Sequence, residues 1–160
     1  MPKFSRILIC FLLIGSLLCG CNIQLPDIVV DAGDLTISLP GYFDNYMEEE
    51  VEGFFMYGYD ELTIGGFRDD FSNYETIPTA EEYAAMIIAD SEVEATMENI
   101  EGLVAFTFPK LVNDKDSYTY LTVVFVGSEA FWTIQAGLRT LNYNVTRDRL
   151  IEIIKTTVVK

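Results

Sequence analysis

The sequence predicts an α+β domain in which an antiparallel sheet carries helices packed on its faces. Short runs rich in aromatic and β-branched residues recur along the chain, several separated by turn-length linkers. Two stretches instead repeat apolar residues at helical spacing, one in the middle and one near the end. Strands outnumber helices and follow one another as hairpins, which favours antiparallel pairing.

The elements follow in order. Residues 34–40 alternate Leu35, Ile37 and Leu39 with polar neighbours, the mark of a half-buried strand, and Pro40-Gly41 ends it. Residues 54–59 and 62–68 read as two strands, with Asp60-Glu61 as a tight connection. After Ile77-Pro78, Thr79 and Glu82 have capping-box spacing, and Ala80, Tyr83, Ala84, Ile87 and Ile88 share one helical face to about Asp90. A polar strand is expected within 92–99, and a firmer one over 103–108 after the Glu101-Gly102 turn. In residues 118–126, Leu121, Val123 and Phe125 alternate with Tyr120, Thr122 and Val124, so both faces of that strand look covered. Residues 131–138 make the last strand. A second helix is expected from Asn144 or Thr146, with Leu150, Ile151, Ile153 and Ile154 inward and an end near Lys155. The order is three strands, a helix, three or four strands and a helix.

The chain opens with signal-peptide grammar. Lys3 and Arg6 precede twelve uncharged residues, 7–18. As a helix that run spans roughly 18 Å, short against a hydrocarbon layer of about 30 Å. The following Leu18-Cys19-Gly20-Cys21 resembles the bacterial lipobox. That resemblance implies a signal peptide over 1–20, cleavage before Cys21 and a diacylglyceryl group on its sulfur. Two acyl chains hold a protein stably at a membrane, where one holds it only marginally. Residues 21–33 then read as the lipidated cysteine and a tether, and 34–160 as a single domain at the extracytoplasmic face of the cell membrane.

Composition limits what that domain does. All three cysteines (Cys10, Cys19 and Cys21) lie at or before the expected cleavage site, and the chain has no histidine. About 125 residues suffice for one ordinary domain. Without Lys3 and Arg6, eight basic residues stand against twenty-five acidic ones, a net charge of −17. Such a balance disfavours nucleic acid and direct contact with anionic lipid head groups.

Four segments recur together in a known superfamily. They are the strand ending Leu39-Pro40-Gly41, the helix start Thr79-Ala80-Glu81-Glu82-Tyr83, the late strand Phe131-Trp132-Thr133-Ile134-Gln135, and the closing Ile151-Glu152-Ile153-Ile154-Lys155-Thr156-Thr157. The chain resembles the PsbP-like superfamily, which includes Ran-binding Mog-type proteins and bacterial lipoproteins of unknown role. The resemblance covers roughly residues 34–159 and implies an α/β/α sandwich acting as a binding or assembly partner. It carries over no functional residue.

Catalytic chemistry finds little to work with. No Cys or His is available to the mature domain as nucleophile or base, and no Ser sits in a Gly-x-Ser-x-Gly elbow. A carboxylate-only hydrolase of envelope glycans would have to draw on Glu48, Glu49, Glu50, Glu52, Asp69 and Asp70. Asp114 and Asp116 lack the Gly and Glu of a calcium-binding EF-hand loop, and no metal or other cofactor is expected. Asn144-Val145-Thr146 fits a glycosylation sequon but reads as a helix cap.

The aromatic group is the most informative feature. Core packing is the default reading for it. Where a sheet face is left uncovered, Tyr42, Phe43, Tyr46, Phe55, Tyr57 and Tyr59 beside an acidic stretch suit a binding surface. The expected function is a lipid-anchored, non-enzymatic accessory module for a protein or envelope component. The alternatives are a lipoprotein that binds a small ligand or cation, and the glycan hydrolase.

Overall fold

The computed structural model describes residues 25–49, 51–112 and 116–160. The expected leader, Cys21, Glu50 and Asp114 lie outside the described residues. Five strands precede the first helix: β1 (Ile28–Asp31), β2 (Leu35–Leu39), β3 (Asp44–Asn45), β4 (Phe54–Tyr59) and β5 (Leu62–Asp70). A single 3-10 turn, Phe71–Asn73, leads to α1 (Ala80–Ser91). Then come β6 (Thr96–Ile100), β7 (Leu103–Val112), β8 (Asp116–Val126), β9 (Ala130–Arg139), α2 (Thr140–Ile154) and β10 (Val158–Val159).

The strands form two antiparallel sheets. The larger has the order β3-β4-β5-β9-β8-β7-β6, and the smaller has β1-β2-β10. On one face of the large sheet, Ile64, Leu121, Val123, Trp132 and Ile134 pack with Leu35, Ile37 and Leu39 of β2 and with Leu150, Ile153 and Ile154 of α2. On the opposite face Val104, Phe106, Phe108, Val124 and Phe131 pack with Tyr83 and Ala84 of α1. The molecule is therefore an α+β sandwich, and the alternation in β8 supplies a core to each side.

The capping box at Thr79 forms in full. Its Oγ1 accepts from the Glu82 backbone N–H at 3.2 Å, and Glu82 Oε2 accepts from the Thr79 backbone N–H at 2.8 Å. Two expectations need correction. Residues 28–31, read as tether, are strand β1, because they pair with β2 from Ile28–Leu39 to Asp31–Thr36. The second helix begins at Thr140, not at Asn144 or Thr146, and Arg139 at its N-cap makes no side-chain cap bond. Its first turn is held by tertiary contacts instead: Thr140 Oγ1 bonds the hydroxyls of Ser117 and Thr119 of β8, and Tyr143 is buried.

Burial also sets a pH limit. It raises the pKa values of Tyr74, Tyr83, Tyr120 and Tyr143, in Tyr83 to about 12. An unfolded tyrosine ionises near pH ~10, while the buried phenols stay neutral beyond it. The unfolded state thus loses protons first, and stability falls as pH rises above about 10. Tyrosinate absorbance should show these four titrating late, together with loss of near-ultraviolet circular dichroism. Titration of these four before unfolding would contradict the packing described.

Candidate functional site

Strand alternation places Phe55, Tyr57 and Tyr59 on the face of β4 that looks toward the main core, yet their exposure rises along the strand. Phe55 is 4% exposed, Tyr57 half-buried and Tyr59 50% exposed. The ring of Phe55 lies across Gly66, its cross-strand partner in β5, where a Cβ would fall 2.1 Å from Phe55 Cε1. Gly58 likewise lies beneath the ring of Tyr46, which is 51% exposed. Phe43 is 2% exposed and belongs to the core. Of the six aromatic candidates, Phe43 and Phe55 are thus corrected from surface to core, because both pack into the main hydrophobic cluster, Phe55 against Trp132.

Tyr57 lines one concavity beside buried Phe55, Tyr42 and Tyr59 line a second, and Tyr46 lines neither. In the first, Phe55 and Tyr57 line a cleft of about 640 Å³ with Asp31, Asp34, Glu52, Arg68 and Glu129. Arg68 forms its base. Its Nε lies 3.2 Å from Asp34 Oδ2, its Nη1 pairs with Asp70, and Asp34 Oδ1 accepts from Trp132 Nε1 at 2.8 Å. Burial opposes the charge on Arg68, but Asp34, Asp70 and Glu129 outweigh it and hold the pKa above its ordinary value. This node ties the small sheet's entry to two central strands of the large sheet.

The second concavity, about 470 Å³, is lined by Tyr42 and Tyr59 with Asp60, Glu61, Val145 and Arg149. The Tyr42 and Tyr59 ring centroids are 4.5 Å apart, and Phe43 packs beneath Tyr42 at 5.3 Å. The Arg149 guanidinium carbon sits 5.4 Å from the Tyr42 ring centroid and the group donates to the Tyr42 hydroxyl. On α2, Leu141 and Val145 are 92% and 89% exposed. At ~100° per residue they lie about 160° around the helix from buried Tyr143, so Leu141, Val145 and Arg149 form an outward stripe at i, i+4 and i+8. Sequence reading missed this stripe. Its signal was available, since Leu141 and Val145 fall off the face set by Leu150 and Ile154.

Of the acidic candidates, Glu50 lies outside the described residues, and Asp69 and Asp70 turn apart. Asp69 and Asp70 are neighbours in β5 and face opposite sides of the sheet, Asp70 toward Arg68 and Asp69 toward Tyr74. Asp116 lies 3.7 Å from Arg139, which also pairs with Glu61 at 2.8 Å. Among the described residues no group of three acidic side chains is placed to hold a metal ion. Among them, too, no helix is long and apolar enough to cross a membrane.

No protein-family model matches the chain, and no curated protein matches it in sequence. Solved structures do match in fold. A Bacteroides thetaiotaomicron protein superposes with a TM-score of 0.59 at 9% identity over 86% of this chain, which spans 49%, about half, of that protein. The Saccharomyces cerevisiae Ran-binding protein Mog1p gives 0.55 at 11% identity, covering 84% of this chain and 96% of Mog1p. Cyanobacterial PsbP (CyanoP) from Synechocystis sp. PCC 6803 gives 0.54 at 11% identity, covering 89% and 97%. The fold expected from the sequence is the fold found.

Proposed function

We propose that this chain, which has the fold of PsbP and Mog1p, is a lipid-anchored extracytoplasmic module that binds a protein partner and performs no catalysis. The observation that carries the reading is the outward stripe of α2. Leu141 and Val145 are the two most exposed of the large apolar side chains, and Val145 shares a cleft with Tyr42, Tyr59 and Arg149. Tyrosine and arginine beside apolar side chains are the composition enriched at protein-binding hot spots. The name of Mog1p as a Ran-binding protein supports a binding role for this fold, although fold alone does not establish one.

The anchor rests on the lipobox-like Leu18-Cys19-Gly20-Cys21. A membrane-held domain carrying this much negative charge turns its binding surface away from anionic lipid and toward a protein. A photo-crosslinking side chain at Val145, in cells, should yield one specific adduct in the membrane fraction. Cys21→Ser should abolish the lipid labelling and deplete that adduct. Recovery of only the abundant bystanders also seen from a probe at Glu81 would overturn the surface. Unchanged lipid labelling in Cys21→Ser would overturn the anchor.

A further inference from the structure

Arg149 stands apart from the other arginines of the described chain. Arg68, Arg139 and Arg147 each pair with a carboxylate. Arg149 forms no ion pair among the described residues, although the chain carries twenty-five acidic side chains. Glu152, about one helical turn further on, pairs with Lys155 at 3.2 Å instead. Of the two acids lining the cleft beside Arg149, Glu61 is taken by Arg139 at 2.8 Å, and Asp60 stands exposed at the β4–β5 turn.

Tyr42 is what holds Arg149 in place. The guanidinium lies over the Tyr42 ring and donates to its hydroxyl. That ring packs in turn against Phe43 and Tyr59, and Phe43 belongs to the core, so the platform beneath the cation is fixed. A guanidinium carries five N–H donors in a planar fork. Beyond the bond to Tyr42, those of Arg149 find no acceptor among the described residues. The group is therefore aimed before a partner arrives, which reduces the entropy lost when a second acceptor binds.

The surroundings select that acceptor. Leu141 and Val145 continue the same stripe as exposed aliphatic side chains, roughly 12 Å from end to end with Arg149. Once covered, they exclude water from the edge of the guanidinium and strengthen any charge pair formed there. An unpaired cation in that setting complements a carboxylate and repels a partner Lys or Arg. Elsewhere the acidic surface repels a partner carboxylate, so the contact at Arg149 selects one docking register rather than adding general attraction.

We infer that the α2 stripe receives a protein segment that presents an Asp or Glu carboxylate to Arg149 and apolar side chains to Leu141 and Val145. This rests on the protein-binding reading above and names the chemistry of its partner.

Arg149 variants of the full chain, each carrying the photo-crosslinking side chain at Val145, test the inference in cells. Arg149→Gln should lower the yield of the specific adduct about fivefold and Arg149→Glu at least about tenfold. Arg149→Lys should keep about half, because the charge stays and the planar fork is lost. Arg149 is exposed, so all three variants should melt within about 2 °C of the parent. Mass spectrometry of the adduct should find an Asp or Glu within about one helical turn of the crosslinked position. Yields unchanged in Arg149→Gln and Arg149→Glu would overturn the carboxylate contact and leave the binding surface standing. A higher yield from Arg149→Glu would show a partner cation at that point and would overturn it as well. Failure to form any specific adduct with Arg149 intact would defeat the protein-binding reading itself, and this inference with it.

Discussion

Replacing Trp132 with alanine is expected to cost about 3–5 kcal/mol, the largest loss available from a single side chain here. Trp132 is fully buried near the start of β9, paired across to Arg68 in β5 and Phe125 in β8. Its ring packs on Phe55 with centroids 6.5 Å apart, and its indole N–H donates to Asp34 at 2.8 Å. Truncation removes the burial, opens a cavity between the sheets and leaves one carboxylate oxygen without its donor. Domains of this kind are stable by only about 5–15 kcal/mol, so the variant should sit near the edge of folding. Trp132→Phe keeps most of the volume and should lose markedly less. Urea denaturation followed by circular dichroism measures both, since the chain has no other tryptophan to report by fluorescence. A loss below about 1 kcal/mol for the alanine variant would mean that the core does not centre on this residue.

The second large effect is expected at Asp34, where alanine should cost about 2 kcal/mol. Its side chain takes the Trp132 N–H and one edge of Arg68, and its backbone carbonyl accepts from the Lys160 N–H at 2.8 Å. Removing the carboxylate strands a fully buried donor and leaves Arg68 to Asp70 alone. Both Arg68 and Asp34 are about a quarter exposed, so solvent screens part of their attraction, and the indole bond should dominate the loss. Asp34→Asn, which can still accept from Trp132, should recover about half. A double-mutant cycle with Arg68→Met separates the two contributions. If Asp34→Ala proves neutral within about 0.5 kcal/mol, the node does not join the sheets.

Local signals were readable wherever the physics was local. The Thr79–Glu82 cap closes over four residues, and the alternation in β2, β4 and β8 is carried by each strand's own side chains. β3 and β10, two residues each, have no period to detect and exist only through pairing with β4 and β2. β1 was misread for the same reason. Only Val30 of its four residues is buried, so its sequence carries almost no alternation, and its partner in β2 makes it a strand.

The aromatic group shows the boundary most clearly. Period-two spacing assigned Phe55, Tyr57 and Tyr59 to one face of β4, and the structure agrees. Spacing says nothing about what lies above that face. Phe55 packs into the core against Trp132, while Tyr59 at the strand's end stays half open beside Tyr42. The start of α2 follows the same logic, because Thr140 is fixed by hydroxyls more than twenty residues earlier in the chain. The sequence by itself determined the α+β class, the long strands, the first helix and an acidic stretch without cysteine after Cys21. Only the tertiary structure decided which aromatics face solvent and that Asp34 joins the two sheets. Those outcomes depend on which distant segment covers each face, and that is a property of packing that no local spacing encodes.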